Sequence, residues 1–334
     1  METSRNDART RPSGRPSETV TRVDAADVAY ARAVDVLMAE HGVEARSRFV
    51  TTQVDRPGVG RGPLRTWVTE SGDGPPVLFV NGTPATAAVW APLLGSLNGV
   101  RTVAVDRPGH GLTGDFDYAE LPDLRSHAVS FLESVLDSLE LDQVVVAGNS
   151  LGGLWALWLA IDSPHRVSGI IQLGLPPALL SDQLPPVFGL LAVPWIATIM
   201  SRLDPPSKRS VRRFFRMMGD PPGLLDDAFV EMFVEAQRLS KTEGGTAHLI
   251  QRFVRFPGRF ASSWLAADVL AGVRQPTLFV AGRDDFLGGL PAAERMTAAI
   301  PGATLEEIGQ GHLPWLQDCD GVARSVERFI GRLG

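Results

Sequence analysis

Short runs of consecutive apolar residues recur along the chain, and most are followed by a turn and then by a stretch with helical spacing. The runs at residues 77–80, 102–105, 144–147 and 277–281 are the most continuous, and residues 167–173 and 304–308 are assigned to the same series although they include polar residues. Continuous apolar runs of this length are typical of strands buried on both faces. Their alternation with helices predicts an α/β fold, with a mostly parallel central sheet and helices on both faces.

The N-terminal part of the chain has a different pattern. Residues 1–22 are polar and rich in Pro, Gly and Arg, which predicts a disordered tail. Residues 23–47 carry apolar positions at helical spacing up to a stop signal at Gly42, so they predict an N-terminal helix. Residues 48–52 and 64–69 predict two short strands of a hairpin, joined by a Gly/Pro-rich loop.

A long segment interrupts the alternation of strands and helices. Between residues 176 and 261 there is no apolar run of comparable quality, and Pro-punctuated helical stretches take its place. This predicts an inserted helical cap over one end of the sheet. The α/β core is then formed by residues 48–175 and 262–334.

The sequence VVVAGNSLGG combines a predicted strand, a sharp turn and an apolar helix. Its Gly148-Asn149-Ser150-Leu151-Gly152 matches G-x-S-x-G, in which a strained strand-to-helix turn exposes the serine hydroxyl. The bare pattern also occurs by chance in loops, but the flanking strand and helix favour a nucleophile. We therefore predict Ser150 as the nucleophile. The apolar helix behind it is predicted to be buried core.

A serine hydroxyl needs a base to take its proton. His312, in GQGHLPW, follows the last predicted strand and can reach the same end of the sheet as Ser150. His110, in DRPGHG, is the main rival, although a role in stabilising its own loop is the simpler interpretation. The remaining histidines, His41, His127, His165 and His248, lie in helical or turn contexts that favour structural roles.

The base in turn needs a carboxylate that orients it. The segment TLFVAGRDDFL presents Asp284 and Asp285, and either could face His312. Donors to an oxyanion are also required. We expect one from the backbone N–H of Leu151 and a second from Thr83 in the NGTP loop, although Asn-Gly and Pro also favour a simple turn there.

Together the marks NGTP, DRPGHG, GNSLGG, GRDDF and GHLPW, in that order, resemble the α/β-hydrolase superfamily, and specifically its capped, esterase-like serine hydrolases. The resemblance runs from about residue 48 to the C-terminus. It implies a Ser-Asp-His triad whose acid lies three positions after the glycine of G-x-x-D, which corresponds to Asp285 and leaves Asp284 as the alternative. The family's oxyanion loop usually begins His-Gly, whereas this chain has Asn81-Gly82.

The resemblance implies hydrolysis of a carboxylic ester or lactone through an acyl-enzyme (EC 3.1.1), without a cofactor or metal. The serine argues against dehalogenases and epoxide hydrolases of this fold, which use Asp. GNSLGG is also similar to enzymes that hydrolyse carbon–carbon bonds in ring-cleavage products, although their oxyanion loops are usually richer in glycine. A third interpretation, kept open by Asn81, is a non-catalytic ligand-binding homologue.

The apolar stretches 187–200 and 214–218 either line a substrate pocket or pack the cap onto the core. A pocket would indicate a bulky apolar group on the substrate. The basic cluster Arg212, Arg213 and Arg216 is interpreted as a solvated helix face, with a substrate carboxylate as the alternative.

The composition of the chain argues against several other classes of protein. The chain has 334 residues and a net charge of −6, so there is no sign of nucleic-acid binding. Cys319 is the only cysteine, which excludes an intrachain disulfide and a cysteine-based zinc site. The N-terminus lacks the apolar segment of a signal peptide, and no apolar run is long enough for stable membrane insertion. We expect a cytoplasmic protein that acts on a small hydrophobic molecule; the oligomeric state stays open.

Overall fold

An eight-stranded mixed sheet organises the molecule. The structure is a computed structural model, and it describes residues 24–177, 184, 186–260 and 266–334. The strands are β1 (Ala45–Arg56), β2 (Gly60–Ser71), β3 (Pro76–Val80), β4 (Arg101–Val105), β5 (Val144–Gly148), β6 (Val167–Leu173), β7 (Val254–Arg255), β8 (Arg259–Phe260), β9 (Thr277–Ala281) and β10 (Thr304–Glu307). The large sheet has the order β1-β2-β4-β3-β5-β6-β9-β10, and β7 and β8 form a second, two-stranded sheet.

Helices cover the sheet and fill the segment between β6 and β9. They are α1 (Ala25–Glu40), α2 (Ala91–Ser96), α3 (Leu124–Ser138), α4 (Leu151–Asp162), α5 (Pro186–Leu191), α6 (Pro194–Leu203), α7 (Lys208–Met217), α8 (Asp227–Arg238), α9 (Ser240–Phe253), α10 (Ala267–Leu270), α11 (Gly289–Ala299) and α12 (Cys319–Ile330). Short 3-10 turns occur at Ala87–Trp90, Pro164–Arg166, Pro222–Leu224 and Pro314–Leu316.

Each central strand contributes to two hydrophobic cores because its side chains alternate between the two faces. In β3, Leu78 belongs to the core that includes α3, α4 and α11, whereas Phe79 belongs to the core that includes α1, α2 and α12. The strands from β4 through β3 and β5 to β10 pair in parallel. The predicted α/β fold, with a mostly parallel sheet covered on both faces, is confirmed.

The N-terminal hairpin is longer than the sequence predicted. β1 and β2 each have 12 residues, and most of the Gly/Pro-rich stretch assigned to a loop belongs to them. Pro63 lies opposite Gln53, whose N–H points away from β2 and donates to Ser134 Oγ over 2.7 Å. Because the antiparallel ladder needs no N–H at this pair, proline is tolerated there.

The N-terminal helix is shorter than the segment assigned to it. α1 begins after Asp24, whose side chain accepts a hydrogen bond from Ala26 N, and residues 45–47 already belong to β1. The tail predicted for residues 1–22 lies outside the described residues. The division into tail, core and cap at these boundaries stays a prediction.

We use the term helical insertion for residue 184 and residues 186–260, which lie between β6 and β9. Two polar side-chain contacts join it to α1 or to the residue that follows it. His41 Nε2 lies 3.0 Å from Asp226 Oδ2, and Lys241 Nζ lies 3.2 Å from Asp27 Oδ1. The N-terminal helix therefore contacts the helical insertion in addition to packing in the core on one face of the sheet.

Within the described part of the chain, no helix is both long enough and apolar enough to cross a membrane. The expectation of a cytoplasmic protein stays a prediction.

Candidate active site

Ser150 occupies a strained turn between β5 and α4. Its backbone has φ 52° and ψ −124°, a conformation that costs free energy for a non-glycine residue and is common at functional sites. The turn is closely packed, since a Cβ on Gly152 would lie 2.0 Å from the carbonyl oxygen of Val80. The local fold therefore has the form of a nucleophile elbow.

Ser150 is half-buried and opens into a cavity of about 930 Å³. Thr83, Pro84 and Leu151 line the cavity beside it. The helical insertion contributes apolar side chains that include Val187, Phe188, Leu191, Phe214 and Met217. The cavity lining supports the first of the two interpretations of the apolar stretches. Phe215, by contrast, is buried against Phe229 and Phe233 of α8 and packs within the insertion.

His312 and Asp285 form a buried pair at the ends of neighbouring strands. Nδ1 of His312 lies 2.8 Å from Oδ2 of Asp285, and both side chains are inaccessible to solvent. The carboxylate also accepts hydrogen bonds from Leu175 N and Leu287 N, each over 2.9 Å. Asp284 is exposed. The geometry thus pairs His312 with Asp285 rather than with Asp284.

The histidine loop lies against the serine turn. Nδ2 of Asn149, the residue before Ser150, donates to the carbonyl oxygens of Leu173 over 2.7 Å and of His312 over 3.2 Å. Nε2 of His312 is buried and makes no hydrogen bond among the described residues, so it is not bonded to Ser150 Oγ in this structure. In the neutral tautomer that donates from Nδ1 to Asp285, Nε2 has a free lone pair directed away from the carboxylate.

The loop after β3 approaches the serine closely enough to exclude any side chain. A Cβ on Gly82 would lie 2.7 Å from Cβ of Ser150. Asn81 stands where the family usually has His, and its amide donates to the carbonyl oxygens of Ala85 and Gly82. The Asn81 side chain therefore stabilises the turn of this loop by hydrogen bonds to the loop's own backbone.

The two residues expected to donate to the oxyanion lie in the same cavity as Ser150. Leu151 is the first residue of α4, so its N–H has no acceptor within the helix. Thr83 is held from its side chain, whose Oγ1 accepts from Arg107 Nη2 over 2.7 Å.

Arg107 and the preceding carboxylate, Asp106, also belong to the surroundings of the site, although neither was predicted from the sequence. Arg107 is inaccessible to solvent, and burial lowers its pKa to about 10, so the guanidinium stays charged at neutral pH. Asp106 accepts hydrogen bonds from Ala87 N over 2.7 Å and Leu112 N over 2.9 Å, and burial raises its pKa to about 6. A charged pair directly after a buried strand was the available signal in DRPGHG.

His110 has the surroundings of a structural residue. Its Nδ1 lies 3.0 Å from the carbonyl oxygen of Pro108, and burial together with the nearby charge of Arg107 holds its pKa well below the usual value. The apolar helix after Ser150 is confirmed as core, since Leu154, Trp155 and Trp158 are fully buried.

A serine elbow at the end of a parallel strand, with a His–Asp pair beside it, is the arrangement of α/β hydrolases. The sequence model of the alpha/beta hydrolase family matches residues 77–325 of this chain. The chain belongs to this family, which supports its assignment to the hydrolases.

Proteins similar to this chain include a dienoate hydrolase, a carboxylesterase and a meta-cleavage product hydrolase. The chain is 27% identical over 287 residues to a 2-hydroxy-6-oxo-2,4-heptadienoate hydrolase of Pseudomonas putida, which covers 80% of this chain and 94% of that protein. The crystal structure of the carboxylesterase CesB from Bacillus subtilis has a TM-score of 0.68 and 19% identity, covering 92% of this chain and 99% of that one. A meta-cleavage product hydrolase from Pseudomonas fluorescens has a TM-score of 0.64 and 22% identity, covering 85% and 99% of the two chains.

Proposed function

We propose that this protein is a serine hydrolase of the carboxylesterase class (EC 3.1.1), which cleaves an ester or lactone with an apolar group. The proposal depends on one observation. The strained Ser150 turn opens into the cavity beneath the helical insertion, and its neighbour Asn149 is hydrogen-bonded to the backbone of His312.

In the proposed reaction, Ser150 Oγ attacks the ester carbonyl while Nε2 of His312 takes its proton. Asp285 holds the ring in the required tautomer and stabilises the imidazolium. The N–H groups of Leu151 and Thr83 donate to the oxyanion. His312 then returns the proton to the leaving alcohol, and a water molecule hydrolyses the acyl-enzyme by the same steps. None of these steps involves a cofactor or metal.

The cavity wall supports an apolar substrate. Phe188, Phe214 and Met217 cover one side of the cavity above Ser150. Removal of apolar substrate surface from water stabilises the complex by roughly 25 cal/mol per Å². We therefore expect esters with medium or bulky acyl groups to react faster than acetyl esters.

The test compares two serines of the same cavity. Ser150→Ala is expected to abolish both hydrolysis of p-nitrophenyl esters and labelling by a fluorophosphonate probe. Ser201→Ala, which alters an exposed residue of the cavity wall, is expected to retain both. Labelling that persists in Ser150→Ala would refute the assignment. Absence of labelling in the folded wild type would instead favour a ligand-binding homologue.

A second candidate is hydrolysis of a carbon–carbon bond in a ring-cleavage product. The similarity to the Pseudomonas putida heptadienoate hydrolase favours it. Such a substrate carries a carboxylate, and the described cavity wall includes two residues that can be positively charged, Arg213 and His248. Each is paired, Arg213 with Asp204 and His248 with Asp117.

A comparison of kcat/KM for the two kinds of substrate distinguishes carbon–carbon bond hydrolysis from ester hydrolysis. Turnover of a 2-hydroxy-6-oxo-2,4-dienoate with a kcat/KM well above that of every ester would support carbon–carbon hydrolysis. In that case Arg213→Gln should raise KM for the dienoate but leave KM for neutral esters unchanged. The opposite ranking of substrates would support the esterase.

A further inference from the structure

A carboxylate of the helical insertion holds the loop that carries His312. Asp220 follows α7, and its Oδ1 accepts hydrogen bonds from Leu313 N over 3.2 Å and from Gln317 Nε2 over 3.3 Å. Two residues earlier, the carbonyl oxygen of Met218 accepts from His312 N over 3.2 Å. The backbone amides of His312 and Leu313 are thus both bound by the insertion rather than by the sheet.

The turn after α7 and the loop that carries His312 are closely packed against each other. A Cβ on Gly311 would lie 2.1 Å from Oδ1 of Asp220, and a Cβ on Gly219 would lie 2.6 Å from the carbonyl oxygen of Asp284. Gly219 also has a φ of 84°, which disfavours other residues. The position of Asp220 against the histidine loop is therefore set by backbone packing.

The second oxygen of Asp220 is buried and makes no hydrogen bond among the described residues. The titratable groups whose charges act on it are His312, which attracts its negative charge when the imidazole is protonated, and Asp285, which repels it. Other charged groups nearby are directed elsewhere. Arg216 and Asp284 are exposed, and the carboxylate of Asp318 accepts from Gly321 N at the start of α12.

An incompletely bonded buried carboxylate is unfavourable for folding. Burial raises the pKa of Asp220 to about 6, and the attraction of His312 opposes that rise. Coulomb attraction acts equally on both partners. The charge of Asp220 therefore becomes most favourable at the moment when the imidazole of His312 is protonated.

We propose that Asp220 is a positioning residue for His312, which fixes the histidine loop and stabilises the imidazolium through its negative charge. The proposal rests on the proposed role of His312 as the base. It also links the base to the substrate cavity, because α7 lines that cavity through Val211, Phe214 and Met217.

The variant Asp220→Asn removes the negative charge of the side chain but keeps its shape and its hydrogen-bond acceptor. The amide oxygen can still accept from Leu313 and Gln317, and the NH₂ group replaces the oxygen that has no partner. Two quantities are measured: the second-order rate of labelling by a fluorophosphonate from pH 5 to 9, and kcat and KM for a p-nitrophenyl ester. We expect the plateau rate and kcat to fall about tenfold with KM unchanged. The step near pH 6 that Asp220 contributes to the wild-type profile should disappear.

Two further variants complete the test. Asp220→Ala removes both the charge and the acceptor, and kcat should fall further than in Asp220→Asn. The control, Asp226→Asn, changes an N-cap of the same insertion whose carboxylate accepts from Phe229 N and contacts His41, both of which lie outside the histidine loop. It should keep the wild-type pH profile.

The outcomes separate this inference from the proposed function. If Ser150-dependent labelling occurs and Asp220→Asn has the wild-type profile and kcat, the inference is wrong and the esterase stands. A lowered melting temperature in Asp220→Ala with unchanged kcat per labelled site would also overturn it, since the role would then be structural only. If the wild type is not labelled at Ser150, both proposals fail.

Discussion

Arg107 donates from Nη2 to Oγ1 of Thr83 over 2.7 Å, so a buried guanidinium holds the residue that we expect to donate to the oxyanion. The same nitrogen donates to the carbonyl oxygen of Gly82 over 3.1 Å. Gly82 packs against Ser150. The Arg107 side chain therefore fixes the position of the loop after β3 relative to the nucleophile.

Arg107→Met is therefore expected to lower kcat by about 10-fold to 100-fold, because the oxyanion donor loses its support. The acceptors at Gly82 and Thr83 are left without their donor, and the free energy of unfolding should fall by about 1 to 3 kcal/mol. Ester kinetics and urea unfolding measure the two effects. Arg125→Met, which breaks a half-exposed pair with Asp162, is the control and should change neither. Wild-type kcat in Arg107→Met would contradict this role.

Asp285→Asn is expected to reduce kcat by roughly 10³-fold to 10⁴-fold, because the amide no longer fixes the tautomer of His312. The matched variant is Asp284→Asn, which alters the adjacent exposed carboxylate. It should retain at least half of the wild-type kcat. Comparison of the two variants with one p-nitrophenyl ester is sufficient. Loss of activity in Asp284→Asn with retention in Asp285→Asn would show that the acid is misassigned.

The parts of the fold that depend on local sequence could be predicted. The runs 167–173 and 277–281 coincide with β6 and β9, because strands buried on both faces are mostly apolar. The strained turn at Ser150 is likewise encoded within five residues. The pairing of His312 with Asp285 matches the expectation from the family motif, whereas the catalytic roles of both residues stay predictions.

Other features depend on contacts between distant parts of the chain. Asp220 and Leu313 are 93 residues apart, and nothing in the insertion sequence indicates that this carboxylate lies beside the histidine loop. Asn149 occupies a position that G-x-S-x-G leaves unspecified, so the motif does not predict that its amide joins the serine turn to His312. The hairpin was predicted too short because cross-strand pairing outweighs the local preferences of Gly and Pro.

Phe188→Ala is expected to shift the preferred acyl chain of the substrate towards longer esters. Phe188 lines the cavity and stacks on Phe286 at 5.6 Å, and Phe286 packs edge-on against His312 at 4.7 Å. The truncation widens the cavity at this wall. The control is Trp195→Ala, in the same insertion, where the side chain is 66% exposed and does not line the cavity. A panel of p-nitrophenyl esters from acetate to decanoate measures the shift, and an unchanged ranking in Phe188→Ala would exclude this residue from the acyl site.

Asp106 should make the free energy of unfolding depend on pH near neutrality. Burial raises its pKa from 3.8 to about 6, so the folded state binds this proton more tightly than the unfolded state. Its contribution to stability is therefore fully present below about pH 4 and is lost as the pH rises through about 6. A pKa raised this far corresponds to roughly 3 kcal/mol.

Asp106→Asn removes this titration. The amide also places an N–H donor against Ala87 N or Leu112 N, which lowers stability by an amount that does not depend on pH. Urea unfolding at intervals from pH 4 to 8 should therefore show the wild type losing stability relative to the variant as the pH rises. Two curves that run parallel across pH 6 would mean that Asp106 stays ionised in the folded protein, held by its two backbone donors and the nearby charge of Arg107.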